Sequence, residues 1–203
     1  MKKLYIVAFY IALALPSVAQ AQKSDHNKMP RGQHQDKMNM SRHAMKMGTS
    51  GLDALKALSG KEFNIAFMSQ MIAHHQAATD MAQQALQIAK HAETKKEVKK
   101  VITEQTKEIK QMNAWLQKWY DVKISQEQAD LVKADMKDMM AMKIESDRMF
   151  FETMIPHHQA AIVMSQIALK QSDRAEVKQL AQNIIKAQKA EIARYKSLLH
   201  HVG

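Results

Sequence analysis

Two histidine pairs, His74-His75 and His157-His158, are the residues in this sequence best placed to do chemistry, and each stands among methionines at matching spacing. Met71 precedes His74 by three positions and Met81 follows it by seven, and Met154, His157 and Met164 repeat that arrangement. Residues three, four and seven apart on a helix share a face, so Met71, His74 and Met81 line up, as do their counterparts. Neighbouring helical positions point about 100° apart, so the two histidines of a pair do not normally hold one ion by themselves. One should look inward, and the other toward a partner helix, a hydrogen-bond acceptor or solvent. Thioether sulfur suits soft Cu(I) and Ag(I), while imidazole accepts Cu(I), Cu(II) and other transition metals. Met71, His74, His75, Met81, Met154, His157, His158 and Met164 are therefore candidate metal ligands. The alternative is that the inward histidine is a satisfied core residue, bonded to Glu108, Glu191 or a backbone carbonyl. In a metal site the same glutamates would serve as acceptors for the second ring nitrogen of a ligand histidine.

The pairs belong to a longer repeat. The stretch Phe67 to Met81 returns as Phe150 to Met164, 83 positions later and without a gap, around a shared core Met-Ile-x-His-His-Gln-Ala-Ala-x-x-Met. The same offset aligns Gln105-x-x-Glu108-Ile109 with Gln188-x-x-Glu191-Ile192. The chain reads as one unit used twice.

Other chemistries find no support. The sequence has no cysteine, which removes disulfides, thiolate ligands and a thiol nucleophile. Neither His-His pair has the Glu-x-x-His pattern of a di-iron bundle, and no His-Glu-x-x-His, phosphate loop or dinucleotide fingerprint occurs. The expectation is a binding protein and not an enzyme.

Further toward the N-terminus, Met1-Lys2-Lys3, the apolar run Leu4 to Leu15 and the small residues Ala19-Gln20-Ala21 make the three-part pattern of a secretory signal, 1–21, expected to be cleaved after Ala21; the alternative is an uncleaved membrane anchor. The segment 22–59 follows, and its portion up to about Ser50 lacks Leu, Ile, Val and aromatic residues. It reads as a flexible tail. His26, Met29, His34, Met38, Met40, His43, Met45 and Met47 are scattered through it, methionine at about one residue in six, with no core to explain them. They form a second candidate set of soft-metal ligands; the plain alternative is a low-complexity linker. The formal charge of +10 becomes about +8 without Lys2 and Lys3. The lysines alternate with Glu and Asp as on a solvated helix face, and with the export signal this argues against a nucleic-acid partner. No other apolar run is long enough to cross a bilayer, so no stable membrane insertion is expected after signal cleavage, and the location expected is the periplasm.

Few breakers and abundant Ala, Gln, Lys and Met favour helices. Ser59-x-x-Glu62 predicts a cap for a helix to about Lys90 with Phe63, Phe67, Met71, His74, Ala78, Met81 and Ala85 along one side. Thr94-x-x-Glu97 predicts the next cap, closing the first hairpin, 60–120. Ser125-x-x-Gln128 opens one connecting helix in 121–146, whose Met136, Met139, Met140 and Met142 are read as packing or, less simply, as a further metal-attracting patch. The second hairpin, 147–203, starts near Ser146 or Asp147, and Asp173-x-x-Glu176 caps its last helix. Pro156 falls inside its first helix, where a kink just before His157 is expected. Two hairpins that each need to bury an apolar face pack as an all-α four-helix bundle with approximate two-fold symmetry.

The motifs Phe67-x-x-x-Met71-Ile72-Ala73-His74-His75-Gln76-Ala77-Ala78-x-x-Met81 and Phe150-x-x-x-Met154-Ile155-Pro156-His157-His158-Gln159-Ala160-Ala161-x-x-Met164 resemble the bacterial family of unknown-function domain 305. The chain looks most like its two-copy periplasmic copper-binding members linked to copper tolerance. Gln105-x-x-Glu108-Ile109-x-x-Met112-x-x-Trp115-Leu116 and Gln188-x-x-Glu191-Ile192 also fit, and the resemblance spans roughly residues 60 to 200. Tyr195 departs from it where Met112 stands in the first copy, and Leu198 where Trp115 stands. The resemblance implies a ferritin-like arrangement of two helical hairpins, with the eight bundle residues named above as the metal face. It implies an exported protein that sequesters Cu(I), and Cu(II) as well, with Ag(I) as an in vitro surrogate and envelope copper-handling proteins as partners. The contrasting reading is a structural or interaction module of the cell envelope that holds no metal.

Overall fold

A computed structural model describes residues 50–202, and these form helices joined by short turns, with no strand among them. In chain order the helices are α1 (Ser50–Lys56), α2 (Gly60–Ile88), α3 (Ala92–Tyr120), α4 (Gln126–Asp135), α5 (Lys137–Ala141), α6 (Asp147–Gln171) and α7 (Ala175–Leu198). α2 packs along α3, and α6 along α7, giving two antiparallel hairpins. α2 and α6 then pack against each other, with α1 and α4 laid over the remaining side of α2. The result is the ferritin-like bundle expected. No described helix is long and apolar enough to cross a membrane. The signal and tail segments fall outside the described residues.

α2 departs from the one-sided stripe. All ten residues from Ala66 to His75 are buried, because α3, α4 and α6 surround the helix. A helix enclosed on every side needs partners for polar residues on every side. Ser69 Oγ accepts from the backbone N–H of Ser125, and Gln70 Nε2 donates to Gly51 O and to Gln128 Oε1.

The two hairpins are clasped at their ends by equivalent residues. Asp147, in the first turn of α6, accepts from the backbone N–H groups of Lys90 and His91 and from the His91 ring, all in the turn of the first hairpin. Asn64, 83 positions earlier, does the corresponding work on the second turn. Its Nδ2 donates to Asp173 Oδ1, and its Oδ1 accepts from Ser172 Oγ. Each clasp ties the start of one long helix to the end of the other, so α2 and α6 run antiparallel about a pseudo-two-fold axis.

Several local expectations change. Ser59 stands at the start of α2 but makes no side-chain cap; Gly60, with φ +58°, makes that bend in a region glycine enters without steric cost. Thr94 and Glu97 lie buried inside α3, whose N-cap residue is His91, and Arg174 stands at the start of α7 while Asp173 serves the clasp. In both turns tertiary partners outcompete the local capping box. Ser125 and Ser146 do cap α4 and α6. The connecting helix is two helices, α4 and α5, divided at Met136. Met136 and Met139 are buried in the core, and Met140 is exposed.

Candidate metal centre

The core divides into two apolar clusters related by the repeat. One contains Phe67, Met71, Ala161 and Met164; the other contains their equivalents Phe150, Met154, Ala78 and Met81. Between them lie the four histidines, all with 0% exposure. His74 and His157 face each other across the α2–α6 contact, with ring centroids 3.7 Å apart. These two residues occupy the same position in the two repeats, and a contact between equivalents lies on the axis relating them.

His74 and His157 differ from satisfied core histidines. Both nitrogens of each ring are buried without a hydrogen-bond partner. Leaving a buried polar group unpaired costs about 1–3 kcal/mol. Burial first, and the neighbouring imidazoles second, push the pKa of both residues well below the ordinary histidine value. The rings are therefore neutral at pH 7, with lone pairs turned into a dry interior and no positive charge to oppose a cation.

His75 and His158 turn away from the axis, each toward the outer helix of its own hairpin. His75 Nε2 lies 2.6 Å from Glu108 Oε2 on α3, leaving Nδ1 without a partner. His158 Nε2 stands 2.9 Å from Glu191 Oε2 on α7, within ion-pair range but off the hydrogen-bonding direction, and its Nδ1 is also unpartnered. Burial works to raise the Glu191 pKa, yet contacts with His158 and Lys100 outweigh it and keep the carboxyl ionised below its usual range. A carboxylate on one ring nitrogen fixes the tautomer and makes the other nitrogen a better donor to a metal. The alternative of a glutamate-bonded histidine thus describes His75, with His158 in ion-pair contact only, and neither His74 nor His157.

All four candidate methionines of the bundle are buried. The structure sorts them across the repeats: Met71 with Met164 in one cluster, Met81 with Met154 in the other. Antiparallel α2 and α6 place the early methionine of one copy in the same cluster as the late methionine of the other. Among the described residues no three His, Cys, Asp or Glu side chains gather as a ligand set. The imidazoles and the buried methionine sulfurs are soft or borderline donors, which favour a soft ion over a hard one. Gln76 is exposed and bonded to Asp80 and Thr79, away from the axis. His26, Met29, His34, Met38, Met40, His43, Met45 and Met47 lie outside the described residues.

Sequence reasoning missed several residues around the site. Lys100 Nζ reaches across from α3 to Glu191 Oε1 at 3.1 Å, and Arg194 on α7 returns to the buried Glu97 at 3.3 Å. Tyr195 packs its ring 5.5 Å from that of His158 with its hydroxyl buried and unpaired, and burial drives its pKa sharply upward. The departure of Tyr195 from Met112 was visible in the repeat. The ion pairs had no local signal, because they join residues far apart in sequence.

A family model described as "Domain of unknown function (DUF305)" matches residues 14–116 and 89–199. Among solved structures, the Cu(I)-bound form of CopM is similar with a TM-score of 0.59 and 35% identity, over 68% of this chain and 96% of that one. Its Cu(II)-bound form gives 0.57 and 35%, over 68% and 97%. A DUF305 fragment from Deinococcus radiodurans gives 0.58 and 26%, over 71% and 99%. No curated protein sequence matches.

Proposed function

The chain belongs to the DUF305 family, and we propose that this member is an exported, non-enzymatic copper-binding protein that sequesters Cu(I), and Cu(II) as well, in the histidine core of the bundle. The observation that carries the reading is the contact of His74 with His157 on the pseudo-two-fold axis, with all four ring nitrogens buried and unpaired. Such a core is costly for a scaffold and suited to a soft cation. The similarity to CopM, solved with Cu(I), Cu(II) and Ag bound, supports the same choice of ion.

In this reading the two repeats build one shared core. His74 and His157 supply imidazole from opposite helices, while His75 and His158 offer Nδ1 with Glu108 and Glu191 behind their Nε2 atoms. Met71 with Met164, and Met81 with Met154, supply sulfur on the two sides. When bound, the metal brings one or two positive charges, and Glu108 and Glu191 are the nearest named carboxylates to balance them. The tail residues His26, Met29, His34, Met38, Met40, His43, Met45 and Met47 collect ions more loosely, and the periplasm is where the leader 1–21 sends the chain. The protein thereby limits free copper and hands it to envelope copper-handling proteins.

Competition with a chromophoric Cu(I) chelator tests the assignment. Changing His74, His75, His157 and His158 together to Ala should remove the tight copper equivalents while leaving those of the tail. A folded quadruple variant, checked by circular dichroism, that keeps wild-type stoichiometry and affinity would sink it.

A further inference from the structure

The two histidine–glutamate pairs are equivalent in sequence and opposite in their surroundings. Glu191 is 5% exposed and closed over by Lys100, with the Glu97–Arg194 ion pair beside it. The repeat offset places Asn183 where Lys100 stands and Gln111 where Arg194 stands. Glu97 is replaced by Leu180. On the first-repeat side no ion pair can form from these three, and the structure has a groove of about 440 Å3 there, lined by Gln111, Trp115, Leu180 and Asn183 among others. It begins one helical turn from Glu108, whose side chain is 21% exposed and whose ion-pair partner among the described residues is His75 alone. Glu104, one turn earlier on α3, lies between the two sides: Lys100 reaches it at 3.8 Å, and burial, opposed by Lys100 and aided by Glu191 and Glu108, raises its pKa.

Resting on the metal reading above, we infer that a soft monovalent cation reaches and leaves the histidine core through the α3–α7 groove beside Glu108, and that Lys100 and Arg194 shut the symmetry-related path. A cation nearing Glu108 meets a part-exposed carboxylate that no Lys or Arg of the described residues pairs with. One nearing Glu191 meets a carboxylate that is itself only 5% exposed and has an ammonium already seated on it at 3.1 Å. From Glu108 the next donor inward is His75, and from His75 the neighbouring position on α2 is His74. The bundle thus has two equivalent pairs and a single door.

Stopped-flow uptake of Cu(I) from a chromophoric chelate, and its release to excess chelator, test this in the full chain. His74→Leu/His157→Leu identifies the signal owed to the tail. Asn183→Lys, at an exposed position, rebuilds the missing ion pair over Glu108 and should slow both uptake and release about tenfold or more, leaving the equilibrium affinity nearly unchanged. Lys100→Asn opens the second path and should speed both, and Glu108→Gln should slow uptake and flatten its salt dependence. If the wild type loads its core and Asn183→Lys and Lys100→Asn exchange at its rates, the single route is wrong while the site stands. If the wild type shows no core signal above the His74→Leu/His157→Leu variant, the site itself fails and the route with it.

Discussion

His74 meets His157, its own counterpart in the second repeat, ring against ring at a centroid separation of 3.7 Å. Because the two are equivalents, one substitution made in both copies changes a single place in the fold. The two rings carry no charge, and none of their four nitrogens has a hydrogen-bond partner, which makes the centre of the bundle its least comfortable point.

Replacing both rings by Leu should therefore raise the stability of the metal-free protein, by about 1–4 kcal/mol, since apolar groups of similar size need no partners. Urea denaturation measures the gain, and Cu(I) competition the accompanying loss of tight binding. A destabilised double variant would mean that the imidazoles are satisfied by something the geometry does not reveal.

The same burial sets a pH dependence. The unfolded chain takes up protons on these histidines below the reference value of 6.5, whereas the folded core refuses them until a lower pH. The unfolded state then binds more protons, so stability falls as pH drops from about 6.5. Two such groups give a slope of up to about 2.7 kcal/mol per pH unit. Denaturation curves between pH 7.5 and 5 should show this slope, reduced in His74→Leu/His157→Leu.

Asp147 and Asn64 hold the ends of the bundle, so Asp147→Ala should cost about 2–4 kcal/mol by releasing the backbone N–H groups of Lys90 and His91 together with the His91 ring. Burial works to raise the Asp147 carboxyl, and these donors outweigh it and lower its pKa. Thermal melting reads the loss. The copper stoichiometry of the folded fraction should not move, because the clasp joins the end of α2 to the start of α6 and the histidines lie where the two helices meet mid-length.

Tyr195 separates packing from polarity. Its ring fits against Phe150, Phe151 and His158 while its hydroxyl has no partner. Tyr195→Phe should be neutral or stabilising by up to about 1 kcal/mol, and Tyr195→Ala should cost about 3–5 kcal/mol. A costly Tyr195→Phe in chemical denaturation would show that the hydroxyl is engaged.

The paired methionines predict a preference between oxidation states. Met71→Leu/Met164→Leu and Met81→Leu/Met154→Leu each keep core volume and should change stability by less than about 1.5 kcal/mol per residue. Each double variant should weaken Cu(I) retention more than Cu(II) retention, because thioether sulfur matters most to the softer ion. Equal losses for the two ions would assign these methionines to packing.

The amino-acid order by itself determined the helices, their doubling and the candidate ligands: an 83-residue repeat, helical spacing of apolar residues and the juxtaposition of imidazole with thioether are all local patterns. It also separated the members of each pair, since adjacent helical positions diverge by about 100°. Only the tertiary structure decided which histidine went where, that the two copies meet at His74 and His157, and that methionines of the two repeats share each apolar cluster. It also overruled local capping at Thr94 and Asp173: Asp147 takes the backbone N–H of His91, three residues before Thr94, and Asn64 engages Asp173, each pair more than 50 residues apart. The shut and open sides of the core arose the same way. Lys100 and Asn183 look like ordinary polar positions on two helix surfaces, and their difference acquires meaning only where α3 and α7 bring them to Glu191 and to the groove near Glu108. Helix formation is written in neighbours along the chain, whereas burial, charge pairing and access depend on neighbours in space.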